Sequence, residues 1–128
     1  MKFNVLASGS KGNCTYIQAG STQLVIDCGG TKRYLSHSFH SLDVDLATID
    51  ALLITHDHID HVAQLNLFKD VSKVIAPVPL IKRTDVQILE PYQKHRIKDV
   101  DITPLVLSHD RAMTYGYLIE HQAEKLVY

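Results

Sequence analysis

The stretch Ala51-Leu52-Leu53-Ile54-Thr55-His56-Asp57-His58-Ile59-Asp60-His61 decides how this chain is read. Four apolar residues run straight into a segment where three histidines and two aspartates fall within seven positions. A short apolar run bounded by polar residues reads as a buried strand, so the ligand-type side chains sit where that strand leaves its sheet. Side chains two apart in extended backbone point the same way, which lets His56 and His58 converge on one ion. Neutral imidazole is a common ligand for zinc and similar metals. Asp60 and His61 follow at a turn into a helix expected over residues 61–68, which swings them toward a neighbouring point. Four ligand-type groups on one short loop crowd a single tetrahedral ion, so two adjacent metals suit the spacing better. The alternative is a solvated polar turn rich in histidine, and it leaves the density of ligands after an apolar strand without a reason. Asp57 points opposite to its histidine neighbours and is expected to face solvent or support the loop rather than hold an ion.

Upstream, residues 3–7, 14–19 and 22–27 read as strands, separated by Ser8-Gly9-Ser10-Lys11-Gly12-Asn13 and by the turn Gly20-Ser21. Three short strands so closely spaced predict an antiparallel meander. Gly29-Gly30 ends the third strand, and Thr31 N-caps a helix to about residue 42 with Tyr34, Leu35, Phe39 and Leu42 as its inner stripe. A strand over residues 50–55 delivers the ligand loop. Downstream, a strand at 73–76, a helical turn at 79–84, and strands at 101–107, 115–120 and from 125 onward are expected. Alternation of strands and helices after a β-rich opening indicates a layered α/β sandwich.

A length of 128 residues fits one ordinary domain or part of a larger one. With a formal net charge of -1 the chain has no global field for nucleic acid or an anionic membrane, so a polyanion must be gripped locally. No apolar run approaches the roughly 20 residues that a bilayer span requires, and no membrane partner is expected. The amino-terminal segment turns polar at Ser8 and lacks the apolar core of a signal peptide. Cys14 and Cys28 are too few and too dispersed for a disulfide framework, so they are expected to pack in the interior of a cytoplasmic protein. The basic groups Lys32-Arg33, Lys82-Arg83 and Lys94-His95-Arg96 with Lys98 would make a salt-sensitive phosphate rim if gathered on one face. Scattered, they read as ordinary solvated surface. Ser8, Ser10 and Asn13 suit either the approach to a site or the geometry of a polar turn. His37, His40, His95 and His121 lack supporting spacing and read as surface or packing residues.

The loop residues His56, His58, Asp60 and His61 resemble the signature of the metallo-β-lactamase superfamily, in which two histidines, an aspartate and a third histidine follow a strand. Asp27, closing Leu24-Val25-Ile26, resembles the aspartate of that family's first motif, which braces the metal loop without binding metal. Leu6-Ala7-Ser8-Gly9-Ser10-Lys11-Gly12-Asn13 is similar to the start of the WalJ (YycJ)-like branch and its phosphodiesterase relatives. Ser108-His109-Asp110, followed by Gly116-Tyr117, resembles that branch's third motif, where a histidine at a strand end joins the metal site.

This resemblance runs along the whole chain in order. It implies a metallo-β-lactamase-like αββα sandwich, a mixed sheet with flanking helices, of which residues 1–128 form about the N-terminal half of a single domain. It implies two zinc ions in the complete enzyme, with manganese or iron as substitutes. His56, His58 and His109 would hold the first ion, and Asp60 and His61 the second. The implied activity is exonuclease-like cleavage of phosphodiester bonds in nucleic acid by a metal-bound hydroxide, with Asp60 and His58 in the catalytic roles. Two other readings stay open: a same-fold hydrolase of a small thioester, lactone or β-lactam, and an inactive truncated fragment that binds one ion or none. Members of the family continue into a second half bearing a bridging aspartate and a further histidine. On that pattern the second sheet and its covering helices are expected to be missing, and the exposed sheet face and edge should favour self-association.

Overall fold

The structure is a computed structural model that describes residues 1–107 and 113–128. Its strands are β1 (Lys2–Ala7), β2 (Cys14–Ala19), β3 (Thr22–Ile26), β4 (Ala51–Leu53), β5 (Val74–Ile75), β6 (Val86–Gln87), β7 (His95–Ile97), β8 (Val100–Leu107), β9 (Thr114–His121) and β10 (Glu124–Val127). Helix α1 spans Lys32–Ser41 and the single turn α2 spans Ile59–Val62. Strands β1 to β6 form one sheet in chain order, and β7 to β10 form a second in the order β10-β9-β8-β7. The meander β1-β2-β3 is antiparallel, as its spacing predicts. From β3 through β6 the pairing is parallel.

Parallel strands are covered on both faces and therefore need nearly continuous apolar runs. Leu24-Val25-Ile26, Ala51-Leu52-Leu53-Ile54 and Val74-Ile75-Ala76 meet that need, and all are buried. Alternate residues serve opposite cores. Val25, Leu52, Ile54 and Val74 pack with Leu35 and Phe39 of α1 and with Phe68. Leu24, Ile26, Ala51, Leu53 and Ile75 pack with Val100, Ile102, Tyr115, Tyr117 and Ile119 of the second sheet. Thr31 caps α1 through its Oγ1, which accepts the Tyr34 N–H at 3.1 Å. Within the expected stripe, Leu35 and Phe39 are buried and Leu42 rests on the core, whereas Tyr34 turns outward and donates its hydroxyl to Leu6 O at 2.6 Å.

Three expectations are overturned. The second sheet is present, not missing: in β8, Val100 and Ile102 point into the core while Asp101 and Thr103 alternate outward, the pattern of a half-buried antiparallel sheet. Nor does a continuous helix cover residues 61–68. Gln64 leaves the helical region because its N–H bonds to Cys28 O and its Nε2 to Gly30 O, both at 2.9 Å, and a 3-10 turn follows at Leu65–Phe68. Residues 79–84 form a turn closed by a bridge between Leu80 and Arg83, not a helical turn. There the Arg83 guanidinium reaches across to the carbonyls of Phe68 and Val71 and to Asp85.

The described residues thus make three layers, helix, sheet and sheet, and the fourth layer of an αββα sandwich is not among them. Both faces of the first sheet are covered, so apolar exposure falls on turns, such as Ile81, on Ile59 of α2, and on strand edges. Phe3 and Val5 on β1 are 57% and 56% exposed, and Val127 on β10 is 66% exposed. The Met1 amino group, which meets Glu124 Oε1 at 2.8 Å, holds these two edges side by side. Among the described residues no helix is long and apolar enough to cross a membrane.

Candidate metal centre

Strand β4 delivers the histidine loop, and its exit is tied from three sides. Asp27 N–H donates to Leu53 O at 2.8 Å, Tyr117 donates its hydroxyl to Ile54 O at 2.6 Å, and Tyr115 N–H donates to Thr55 O at 2.8 Å. The second sheet therefore clamps the point where the loop begins. The loop's return is held as firmly, by Asn13 N–H to Asp60 O at 2.8 Å and Cys28 N–H to His61 O at 2.7 Å. Gly29 makes this approach possible, since a Cβ there would fall 1.7 Å from Asp60 O.

Under the loop lies Asp27, fully buried and in the left-handed region at φ 62°. A non-glycine residue held there stores strain that the surrounding bonds must outweigh. Its Oδ1 accepts the Thr55 N–H at 2.8 Å, while Oδ2 accepts the Thr55 hydroxyl at 2.7 Å and the His61 Nδ1–H at 2.6 Å. With its proton spent on Asp27, Thr55 Oγ1 accepts from His56 Nδ1 at 3.1 Å. In their neutral forms both imidazoles therefore carry the proton on Nδ1 and present a bare Nε2, the orientation by which neighbouring acceptors prepare histidines for metal.

His56, His58 and Asp60 each offer a ligand atom, and these three atoms lie within 4.8 Å of one another. The centroid of the His61 ring lies 3.9 Å from that of His56, the planes tilted by 48°, and His61 Nε2 lies 3.4 Å from Asp60 Oδ2. Asp60 thus belongs to the His56–His58 cluster while also touching His61. The resemblance assigns it to the His61 side alone. His109, together with Ser108 and Asp110, lies outside the described residues. Asp57 is exposed beside the loop. The remaining histidines sit elsewhere: His37 and His40 on α1, His95 on β7 and His121 on β9.

Imidazole and carboxylate donors suit zinc, manganese or iron. Burial, with His61 and His58 adding to it, pushes the His56 proton affinity below that of ordinary imidazole, which keeps the ring neutral and able to ligate. Burial also opposes a proton on His61, but the hydrogen bond and charge of Asp27, with Asp60, outweigh it and raise the value. Cys14 and Cys28 are free and packed in the core, as their spacing predicts. Burial pushes the Cys14 thiol up to about 12 and Cys28 higher still, so neither offers the thiolate a metal requires.

Between the 6–12 segment and the start of α1 runs a groove of about 680 Å³ lined by Leu6, Ala7, Ser8, Ser10, Lys11 and Tyr34, and no residue of the histidine loop lines it. The suggested cationic rim does not assemble from the downstream basic groups. Arg83, Arg96 and Lys98 each pair with a nearby carboxylate, of Asp85, Asp101 and Asp50 respectively, and Lys94 lies 3.7 Å from Glu120. Thr55 and Tyr117 carry more of the site than the sequence discloses. A threonine closing an apolar run looks like strand propensity, and a tyrosine in an alternating strand looks like core.

Comparison with known proteins identifies the family and the fold. The family model of the metallo-beta-lactamase superfamily matches residues 7–85. Over 141 residues the chain is 31% identical to exodeoxyribonuclease YycJ of Bacillus anthracis, an alignment covering 98% of this chain and 52% of that protein. A 61-residue segment is 34% identical to exodeoxyribonuclease WalJ of Streptococcus pneumoniae, covering 48% of this chain and 23% of that one. Among solved structures, the metallo-beta-lactamase fold protein YhfI from Bacillus subtilis matches with a TM-score of 0.75 at 19% identity, covering 98% of this chain and 61% of that one. The chain spans about half the length of the Bacillus anthracis relative.

Proposed function

Because this chain belongs to the metallo-β-lactamase superfamily, we propose that it serves as the N-terminal part of a metal-dependent hydrolase domain that cleaves phosphodiester bonds in nucleic acid, exonuclease-like. The observation that carries this is the convergence of His56, His58 and Asp60 ligand atoms within 4.8 Å at the mouth of a buried strand. Two relatives named exodeoxyribonucleases support the substrate class.

His56 and His58 would hold a cation through ring nitrogens and Asp60 through a carboxylate oxygen, with His109 joining them. Asp60 and His61 would serve a second ion. Zinc is the ion this reading takes, with manganese or iron as substitutes that the same donors would accept. Such cations supply Lewis acidity and a water that ionises near neutral pH. Asp27 and Thr55 fix the ring orientations, so the donor set is formed before substrate arrives. On this reading Asp60, whose side chain is 26% exposed, would orient the attacking water and take up its proton, and exposed His58 would act beside it at the mouth. The groove along the 6–12 segment, with Lys11 and two serine hydroxyls, would take the strand leading to the scissile phosphate.

The test compares bis-p-nitrophenyl phosphate, an end-labelled DNA duplex and a small thioester with added zinc or manganese. Metal-dependent hydrolysis of the phosphodiesters is expected. Hydrolysis of the thioester alone would replace the substrate class, and a chain that takes up no metal would be an inactive fragment. Self-association through the β1 and β10 edges belongs to the same proposal, supported by the exposure of Phe3, Val5 and Val127. Light scattering that gives a clean monomer at high concentration would refute it. The free, buried thiols of Cys14 and Cys28 accord with a reduced, cytoplasmic setting.

A further inference from the structure

Asn13 reaches the candidate centre from the opposite side to Asp27. Its carboxamide orientation is dictated by one residue: Oδ1 accepts the Gly9 N–H at 3.2 Å, and Nδ2 donates to Gly9 O at 2.9 Å. Exchanging oxygen and nitrogen would break both bonds, so the amide cannot turn without losing Gly9. One Nδ2 hydrogen is committed to Gly9. The other faces the loop, where Nδ2 lies 3.3 Å from Asp60 Oδ2, 3.2 Å from His61 Nε2 and 3.4 Å from Asp60 O. His61 donates its Nδ1–H to Asp27 Oδ2, so in the neutral ring, the form that ligates a cation, Nε2 is an acceptor and Asn13 is its donor.

Of the atoms that Asn13 addresses, His61 Nε2 is the one through which that ring would grip a cation, because its Nδ1 is engaged by Asp27. We propose that Asn13 sets the ion count of this centre. Its N–H competes for His61 Nε2, a ligand atom that the His56, His58 and Asp60 cluster does not use, so an ion on that cluster binds first. A second ion at His61 binds only by displacing the amide hydrogen. This rests on the proposal that the histidine loop binds metal.

A plain brace would behave in the opposite way: removing it would loosen Asp60 and His61 and weaken every ion. The main-chain bonds of Asn13, from its N–H to Asp60 O and from Gly29 N–H to its O, survive substitution of the side chain. Asn13→Ala removes the competing donor, and Asn13→Asp replaces it with a carboxylate that itself attracts a cation. Metal-free wild type and both variants are titrated with zinc by calorimetry and by competition with a chromophoric chelator, with melting curves in chelator as a folding control. The wild type should bind one ion tightly and a second more weakly. In Asn13→Ala the second affinity should rise about tenfold, the equivalent of one hydrogen bond, with the first unchanged. Asn13→Asp should raise it further. Equal or weaker second-ion binding in a folded Asn13→Ala overturns the proposal. Should that variant melt below the titration temperature, Asn13→Asp decides by the same criterion, since its Oδ1 still accepts from Gly9. A wild type that takes up no zinc defeats the metal-binding reading itself, whereas one that binds zinc with no dependence on residue 13 defeats this inference alone.

Discussion

Replacing Asp27 tests whether the loop is preorganised by a buried carboxylate. Three hydrogen bonds of 2.8, 2.7 and 2.6 Å converge on a side chain with no exposed surface. Asn tolerates the left-handed backbone better than most residues, so Asp27→Asn leaves the chain path intact. Its oxygen keeps the Thr55 N–H, and the Thr55 hydroxyl can rotate to accept from the new NH2 group, although its own hydrogen then loses the Asp27 acceptor. His61 Nδ1–H also loses its acceptor, a bond to a charged group contributing about 1.5–3 kcal/mol. Asp27→Ala removes all three and leaves the Thr55 N–H and hydroxyl unpaired in a buried position. At about 1–3 kcal/mol for each such group beyond the lost ionic bond, it should cost roughly 4 kcal/mol or more. Urea unfolding of metal-free protein measures both, read by tyrosine fluorescence because the chain has six tyrosines and no tryptophan. An unchanged denaturant slope would assign the loss to the native state. Zinc affinity should fall about 10- to 100-fold in Asp27→Asn, because His61 is free to reverse its tautomer. A variant within about 0.5 kcal/mol of wild type, with unaltered zinc binding, would show that Asp27 does not hold the loop.

His56→Ala and His58→Ala should each abolish tight zinc binding and the phosphodiesterase activity while shifting metal-free stability by no more than about 1 kcal/mol, since both rings lie at the surface end of the loop; retained zinc binding, measured by calorimetry, would remove them from the centre. Gly29→Ala should lose roughly 3 kcal/mol or more, read as a fall in melting temperature, because its Cβ would meet Asp60 O, a backbone atom no rotamer change can move; an unchanged melting curve would refute the close approach. Cys14 and Cys28 should resist iodoacetamide until denaturant is added, and alkylation at the unfolded rate would contradict their burial. Folding raises the Cys14 thiol from 9.0 to about 12, so its contribution is full below 9.0 and is lost as pH climbs toward 12, which pH-dependent melting would detect.

How much of this was legible depends on whether the information is local. The ligand loop could be read because its donors fall within seven consecutive residues and follow a run that only a strand buried on both faces accounts for. The second sheet could not, because alternation states that one side of β8 is buried but not against what; the same Val100-Asp101-Ile102-Thr103 pattern would suit a strand added to the first sheet. The helix over residues 61–68 failed for a related reason. Its periodicity is helical, yet Gln64 finds better partners in Cys28 and Gly30, which only the folded chain supplies. Within the site, the residues that tune the donors come from far away in sequence: Asp27 is 34 positions from His61, and Asn13 is 47 from Asp60. A short loop can display its ligands by spacing alone, whereas the tautomers those ligands adopt are set by acceptors and donors on other strands. The chemistry of this centre therefore depends as much on Gly12 and Gly29 as on any histidine. A Cβ on Gly12 would strike Gly30 N at 2.4 Å, and one on Gly29 would strike Asp60 O at 1.7 Å. Either clash would separate the strand that carries Asp27 from the loops that carry Asn13 and Asp60, and the bare Nε2 of His61 would lose the two neighbours that define it.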